Sequence, residues 1–214
     1  MVKRIPLFLL GSLIFLLFVF FSYLVHKDLF TNFDFDTTVR LQDNISRRFD
    51  SVFSFFSDFG KFEVSIIILL IILLVRRKIM GVFAIGLFGL LHIFELYGKF
   101  FVEHLPPPEF MIRTEKIIDF PQFHVRSEFS YPSGHSARAL FLTVILMILL
   151  YNSKKMPKHI KFLLIGILTV YDFVMLVTRI YLGEHWVSDV IGGALLGGSL
   201  GIISSVFILS KKSS

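Results

Sequence analysis

The sequence has no cysteine among its 214 residues. Disulfides, a thiolate nucleophile and a thiolate metal site are thereby excluded, and the redox compartment leaves no mark. Charge is also scarce: 18% of residues are charged, against 55% hydrophobic, with a mean hydropathy of +0.76. A soluble domain of this length needs more polar surface, so the composition is that of an integral membrane protein. Tryptophan occurs once, as Trp186, and reads as an interface anchor. Phe, by contrast, supplies 27 residues, an apolar surface suited to acyl chains. The formal net charge of +6 does not describe a nucleic-acid face, and no nucleic-acid partner is expected. Lys and Arg gather instead at the ends of apolar runs, where they set topology and meet anionic headgroups.

A bilayer core of ~30 Å takes roughly 20 helical residues. Six runs qualify or nearly so: about 5–25, 60–75, 80–102, 135–151, 162–182 and 186–209. They predict one all-α domain over residues 1–214, a six-helix membrane bundle with interfacial outer loops. The first run is longer than the ~7–15 apolar residues of a signal peptide and no small-residue cleavage site follows, so a retained helix is expected. The second is the shortest, purely apolar only over 64–75, and is expected to begin earlier, through 53–59. Segment 27–59 reads as an interfacial loop with amphipathic helical turns. Segment 103–131 is the longest loop, and Pro106, opening Pro106-Pro107-Pro108, is expected to end the third helix. Under this alternation Lys3-Arg4, Arg76-Arg77-Lys78, the 154–161 stretch and Lys211-Lys212 fall on one side. That side is assigned to the cytoplasm, with both termini. The outer side then receives the two long loops and the tight turn near Gly183.

Ionisable groups are expensive near a membrane core, and their default reading is a functional site. Thr178-Arg179-Ile180-Tyr181-Leu182-Gly183-Glu184-His185-Trp186-Val187-Ser188-Asp189 holds a cation, an imidazole and a carboxylate around a glycine turn. His185 and Asp189 are four apart, so on a helix their side chains share a face. The carboxylate can hold one ring nitrogen and leave the other as an oriented nucleophile. Arg179 offers a planar fork for phosphate oxygens. The rival reading is a structural His–Asp bond with Arg179 snorkelling to headgroups. Upstream, Pro132 suits the first position of a helix, and Ser133 and Gly134 leave N–H groups open at a helix start, a ready anion site. His135 beside that anion suits a general acid. An ordinary helix cap explains the same four residues.

On the third helix His92, Glu95 and Lys99 share one face. Lys99 is the functional candidate, Glu95 a partner for Lys99 or Arg138, and His92 a satisfied interior histidine. Asp172 is expected to partner a cation. Lys99, the Pro132–His135 cluster, Arg179, His185 and Asp189 all fall at one depth on the outer side.

These residues resemble the type 2 phosphatidic acid phosphatase superfamily (PAP2), membrane lipid phosphatases related to vanadium haloperoxidases. Its pattern is K-x6-R-P, P-S-G-H and S-R-x5-H-x3-D. Pro132–His135 matches the second part. Thr178-Arg179, His185 and Asp189 match the third, with Thr in place of Ser. The first part departs: six residues after Lys99 stands Pro106 in place of the Arg. Arg113, Arg138 and Arg126, in that order, are candidates to replace that charge. The resemblance implies a PAP2/haloperoxidase-like helical core and hydrolysis of lipid phosphates or diphosphates without a metal or other cofactor. Polyprenyl diphosphate is slightly favoured over phosphatidate-type lipids. It further implies that His185 attacks phosphorus, Asp189 orients it and His135 protonates the leaving group. Lys99, Ser133, Gly134 and Arg179 would hold the phosphoryl oxygens. A lipid phosphotransferase and a non-catalytic lipid-phosphate binder or transporter stand as alternatives.

Overall fold

The structure, a computed structural model, describes residues 4–77, 79–115 and 128–209. Arg126 and the basic residues Lys3, Lys78, Lys211 and Lys212 lie outside the described residues. Eight α-helices occur among those described: α1 (Arg4–His26), α2 (Thr31–Asn44), α3 (Asp50–Ser57), α4 (Phe62–Arg76), α5 (Val82–Phe101), α6 (Gly134–Asn152), α7 (Lys158–Tyr181) and α8 (Val187–Ile208). Five segments are long and apolar enough to cross a membrane: α1, α5 with the 3-10 turn before it, α6, α7 and α8. The six-span expectation is therefore met only in part. Its second run does not extend back through 53–59 as one helix. A 3-10 turn at Asp58–Gly60 separates α3 from α4. The 15 residues of α4 reach about 22 Å, short of a bilayer core. Segment 27–59, expected as a loop with helical turns, is more regular than that: it forms two helices, α2 of 14 residues and α3 of 8. Pro106 does not end the third helix: α5 stops at Phe101, and Glu103 takes a left-handed φ of 57° before the proline run begins.

The bundle is organised around α8, whose span is 61% buried against 11% for that of α7. Small residues make this possible. Cβ atoms added at Gly193, Gly197 and Gly201, one every fourth residue, would run into the backbone of α6 at Ser133, Ala137 and Phe141. On another side of α8, Gly11 of α1 meets the Ser199 carbonyl. Without a hydrophobic force between helices in lipid, such close backbone approach is how membrane helices gain contact. Tyr131, fully buried, stacks near Phe18 of α1 and shares a 2.8 Å hydrogen bond with Ser22. Gly192 leaves room for its ring, so the residues leading into α6 are wedged between α1 and α8. The outer faces of α1 and α7 expose Leu13, Leu16, Phe20, Leu163, Val170 and Phe173, the surface a bilayer requires.

α2 lies across the ends of α7 and α8. Gln42 donates to the carbonyls of Met111 (2.7 Å) and Tyr181 (2.9 Å). Asp34, 1% exposed, accepts the Ser188 N–H (2.8 Å) and hydroxyl (2.6 Å), supplying in trans the anion that the first turn of α8 favours.

Candidate active site

Two helix starts and one helix end converge on a cavity of about 500 Å³. Gly183 makes the turn between α7 and α8 with φ of +69°. A side chain there would also meet the Met111 carbonyl carbon at 2.7 Å, so only glycine serves. This reversal brings Arg179, in the last turn of α7, and His185, just before α8, to the cavity wall. At the start of α6, Ser133 rather than Pro132 is the cap, and Pro132 lies outside the helix. Ser133 accepts from the Ser136 hydroxyl (3.0 Å) and its N–H donates to the Asp189 carbonyl (2.9 Å). The beginnings of α6 and α8 are thus bonded to each other. Gly134 and His135 follow onto the cavity wall, whereas the Ser133 side chain is engaged in capping.

Lys61, Lys99 and Arg138 complete the basic lining. Arg138 donates to Glu95 (3.0 Å) and to the Gly60 carbonyl (2.9 Å). Of the two partners expected for Glu95, Arg138 is therefore the one in contact. Gly134 must be glycine for the same reason: an added Cβ would fall 2.5 Å from Glu95 Cδ and 2.8 Å from Arg138 Nη1. Arg179 donates to Ser57 and Glu184, and its Nε is buried without a partner. Arg113 does not line the cavity; it donates to the Tyr181 hydroxyl (3.2 Å) and sits over that ring. His92 lies against Phe62 and Phe88, with Nδ1 3.2 Å from Glu95 and Nε2 unpartnered, so it is only half satisfied. Asp172 meets no cation among the described residues. The Thr143 hydroxyl donates to it at 2.9 Å across the α6–α7 contact.

His185 sits in the turn before α8 rather than on it, yet its Nδ1 comes within 3.4 Å of Asp189 Oδ2. The two are not aligned for a hydrogen bond, and Nδ1 is buried without another partner. Burial lowers the His185 pKa from its ordinary value of 6.5; Arg179 and Lys99 push the same way and Asp189 opposes them. The ring is accordingly neutral at neutral pH, the form a nucleophile needs.

Asp189 is engaged more closely elsewhere. Its Oδ1 meets Nδ1 of His104 at 2.8 Å and its Oδ2 accepts the Trp186 N–H at 3.0 Å. His104 is buried between Asp189 and Asp34, the latter 3.9 Å from Nε2. Burial acts to lower its pKa, but the Asp189 hydrogen bond and both carboxylates outweigh burial and raise it. Residue spacing carries no sign of this imidazole, because its partners stand 85 and 70 positions away (189 − 104 and 104 − 34). The one available signal was its place two residues before the proline run.

Comparison with known proteins bears on the family and the fold. Phosphatidylglycerophosphatase B of Bacillus subtilis is 38% identical over 82 residues, covering 37% of this chain and 39% of that protein. Undecaprenyl-diphosphatase of Sulfolobus acidocaldarius is 28% identical over 152 residues, 70% of this chain and 66% of that one. The matches thus span less than two thirds of either relative. Among solved structures, a transmembrane PAP2-type phosphatidylglycerolphosphate phosphatase from Bacillus subtilis superposes with a TM-score of 0.71 over 91% of this chain and 93% of its own, at 22% identity. LpxE of Aquifex aeolicus gives 0.59 over 80% and 94%, at 26% identity. Five apolar spans and these neighbours make the chain a multi-pass membrane protein. The PAP2 superfamily model matches residues 67–212, which carry His135, Arg179, His185 and Asp189 alike, and the chain belongs to that superfamily.

Proposed function

We propose that the protein is an integral membrane phosphatase that hydrolyses lipid phosphates or diphosphates through a phosphohistidine. The observation that carries this reading is that one cavity brings together the imidazoles His135 and His185 with Lys99, Arg138 and Arg179, three of the four cations on its wall. Neutral His185 attacks phosphorus through Nε2 while Asp189, beside Nδ1, orients the ring. Lys99, Arg179, Arg138 and the Gly134 backbone hold the equatorial oxygens, where fixed donors contribute most. Ser133 supports that wall by capping α6. The bond from phosphorus to the leaving oxygen breaks, and His135 gives that oxygen its proton. The same imidazole then takes a proton from water, whose oxygen attacks the phosphohistidine and releases phosphate.

Arg138 supplies the cation that the sequence lacks at Pro106, since it reaches the cavity and Arg113 does not. α4 serves as the sixth crossing. Its first turn, with Phe62 and Glu63, lines the cavity itself, so the helix starts at site level and needs fewer residues to reach the far side. With six crossings and the basic loop ends assigned to the cytoplasm, both termini are inside and the cavity faces outward. Phe62 and Leu96 form the apolar part of the wall and fit a lipid tail entering between α4 and α5. The relatives named for polyprenyl diphosphate and phosphatidylglycerophosphate hydrolysis support both headgroup classes, with the diphosphate slightly favoured.

The test is phosphate release by purified protein across polyprenyl diphosphate, phosphatidate and phosphatidylglycerophosphate, with His185→Ala as control. Wild-type turnover and an acid-labile phosphoenzyme, both absent in the variant, are expected. Lipid-phosphate binding without His185-dependent release would instead identify a binder, and phosphate moved to a second lipid a transferase.

A further inference from the structure

Four cations and three carboxylates line the cavity, yet they are not equally disposed towards an incoming anion. Lys99 forms no ion pair among the described residues. Arg138 is tied on one side to Glu95 and on the other to the Gly60 carbonyl. Arg179 differs from both. Its side chain is 3% exposed, with Nη1 donating to Ser57 Oγ and Nη2 held by Glu184. Glu184 itself is 28% exposed and lines the cavity, and its other oxygen accepts the Thr114 hydroxyl. Arg179 Nε, adjacent to the occupied edge, is buried and bonded to nothing.

A carboxylate on a guanidinium edge makes the same contacts that a phosphoryl group would make there. We infer that Glu184 occupies the phosphate position of Arg179 in the empty enzyme, that substrate phosphate must displace it, and that its return helps expel the phosphate product. This rests on the phosphatase reading and adds to it a residue that sets the affinity for the phosphoryl group. A bound phosphate dianion and an unmoved Glu184 would present about three negative charges to one guanidinium, and like charges a few ångströms apart in a water-poor site repel strongly. Displacement frees Nη2 together with Nε, so the phosphate gains a two-pronged contact. Burial acts to raise the Glu184 pKa, but Arg179 and the Thr114 hydroxyl outweigh it and hold the carboxyl below its usual value. The competitor is thus charged throughout the neutral range.

The test compares wild type with Glu184→Gln and Glu184→Ala as full-length protein in detergent. Inorganic phosphate is measured in two ways: as a competitive inhibitor of lipid-phosphate turnover, and by the rise in melting temperature it causes, which follows its affinity for the folded protein. Removing the carboxylate should lower the phosphate inhibition constant about five- to tenfold and lower KM with it. kcat should not rise, because product now leaves more slowly. The melting shift at a fixed phosphate concentration should be larger in both variants. An unchanged inhibition constant, or weaker phosphate binding with a raised KM, would overturn the inference and leave Glu184 as a brace for Arg179. If wild type releases no phosphate from any lipid, the phosphatase reading fails separately. The melting shift then decides on Glu184 alone, and equal shifts in all three proteins reject it.

Discussion

Replacing Gly197 by Ala adds one methyl group where α8 lies against α6, and there is no room for it. The new Cβ would fall 2.6 Å from the carbonyl carbon of Ala137 and 2.8 Å from its Cα. Carbon atoms in contact sit about 3.5–4.0 Å apart, so the helices must part by roughly 1 Å. Both neighbours are backbone and cannot rotate aside. The start of α6 carries His135 and the start of α8 follows His185, so parting the helices separates the two imidazoles proposed to act on one phosphorus. A misplacement of about 1 Å at a reacting centre costs on the order of 10²-fold in rate, and overpacking costs about 1–3 kcal/mol in stability. Gly198→Ala is the internal control, because a Cβ at Gly198 meets nothing within 4 Å. Measured side by side, Gly197→Ala should lose about a hundredfold in kcat and melt earlier, while Gly198→Ala matches wild type. If both variants keep wild-type turnover and melting, backbone contact between α6 and α8 does not set the site geometry.

Arg138→Ala strands the half-buried Glu95 carboxylate. Such losses run to about 3–5 kcal/mol, so denaturation in detergent should show a large destabilisation together with a raised KM. Arg113→Ala, away from the cavity, should leave KM unchanged; equal KM effects would refute the assignment of Arg138. His104→Ala leaves Asp34 and Asp189 facing each other. Because the folded pKa of His104 lies above 6.5, its stabilisation is complete below that pH and lost as pH rises through the raised value. The stability gap to wild type should therefore be wider at about pH 6 than at about pH 9, and His104→Asn, keeping a donor, should recover part of it. Protonation removes His185 as nucleophile, so its lowered pKa sets the acid limb of kcat/KM below pH 6.5. Asp189→Asn, which removes the opposing charge, should move that limb still lower while reducing the rate. The absence of native cysteine permits single-site labelling in intact cells: Glu109→Cys should react with an impermeant thiol reagent and Lys154→Cys should not. The reverse pattern would invert the proposed topology.

Most of the helices were legible as apolar runs, and the meeting of His135, Arg179 and His185 was legible because their motifs sit at helix ends. What escaped were relations between distant positions. The glycines of α8 read only as part of an apolar stretch, although their four-residue spacing decides how closely α6 approaches. α4 was legible as a short apolar run, but nothing in its spacing showed that its first turn lines the cavity. A membrane carboxylate suggested a cation for Asp172, but Arg138 is already matched to Glu95, and a threonine hydroxyl suffices across α6–α7. Arg113 ranked first as replacement for the missing Arg because an outer loop leaves reach unconstrained. Its guanidinium instead settles on Tyr181. Glu184 drew no notice because it sits among the variable positions of a motif read for its Arg and His.

Asp34 belongs to a helix outside the five long spans, yet it holds Ser188 in the opening turn of α8 and stands beside the imidazole that grips Asp189. The placement of the His185 ring is therefore referenced to α2 as well as to the transmembrane scaffold. A disturbance that tilts α2, whether from a crowded leaflet or a detergent rim, reaches His185 through Asp34, His104 and Asp189 without any of the spans having to move.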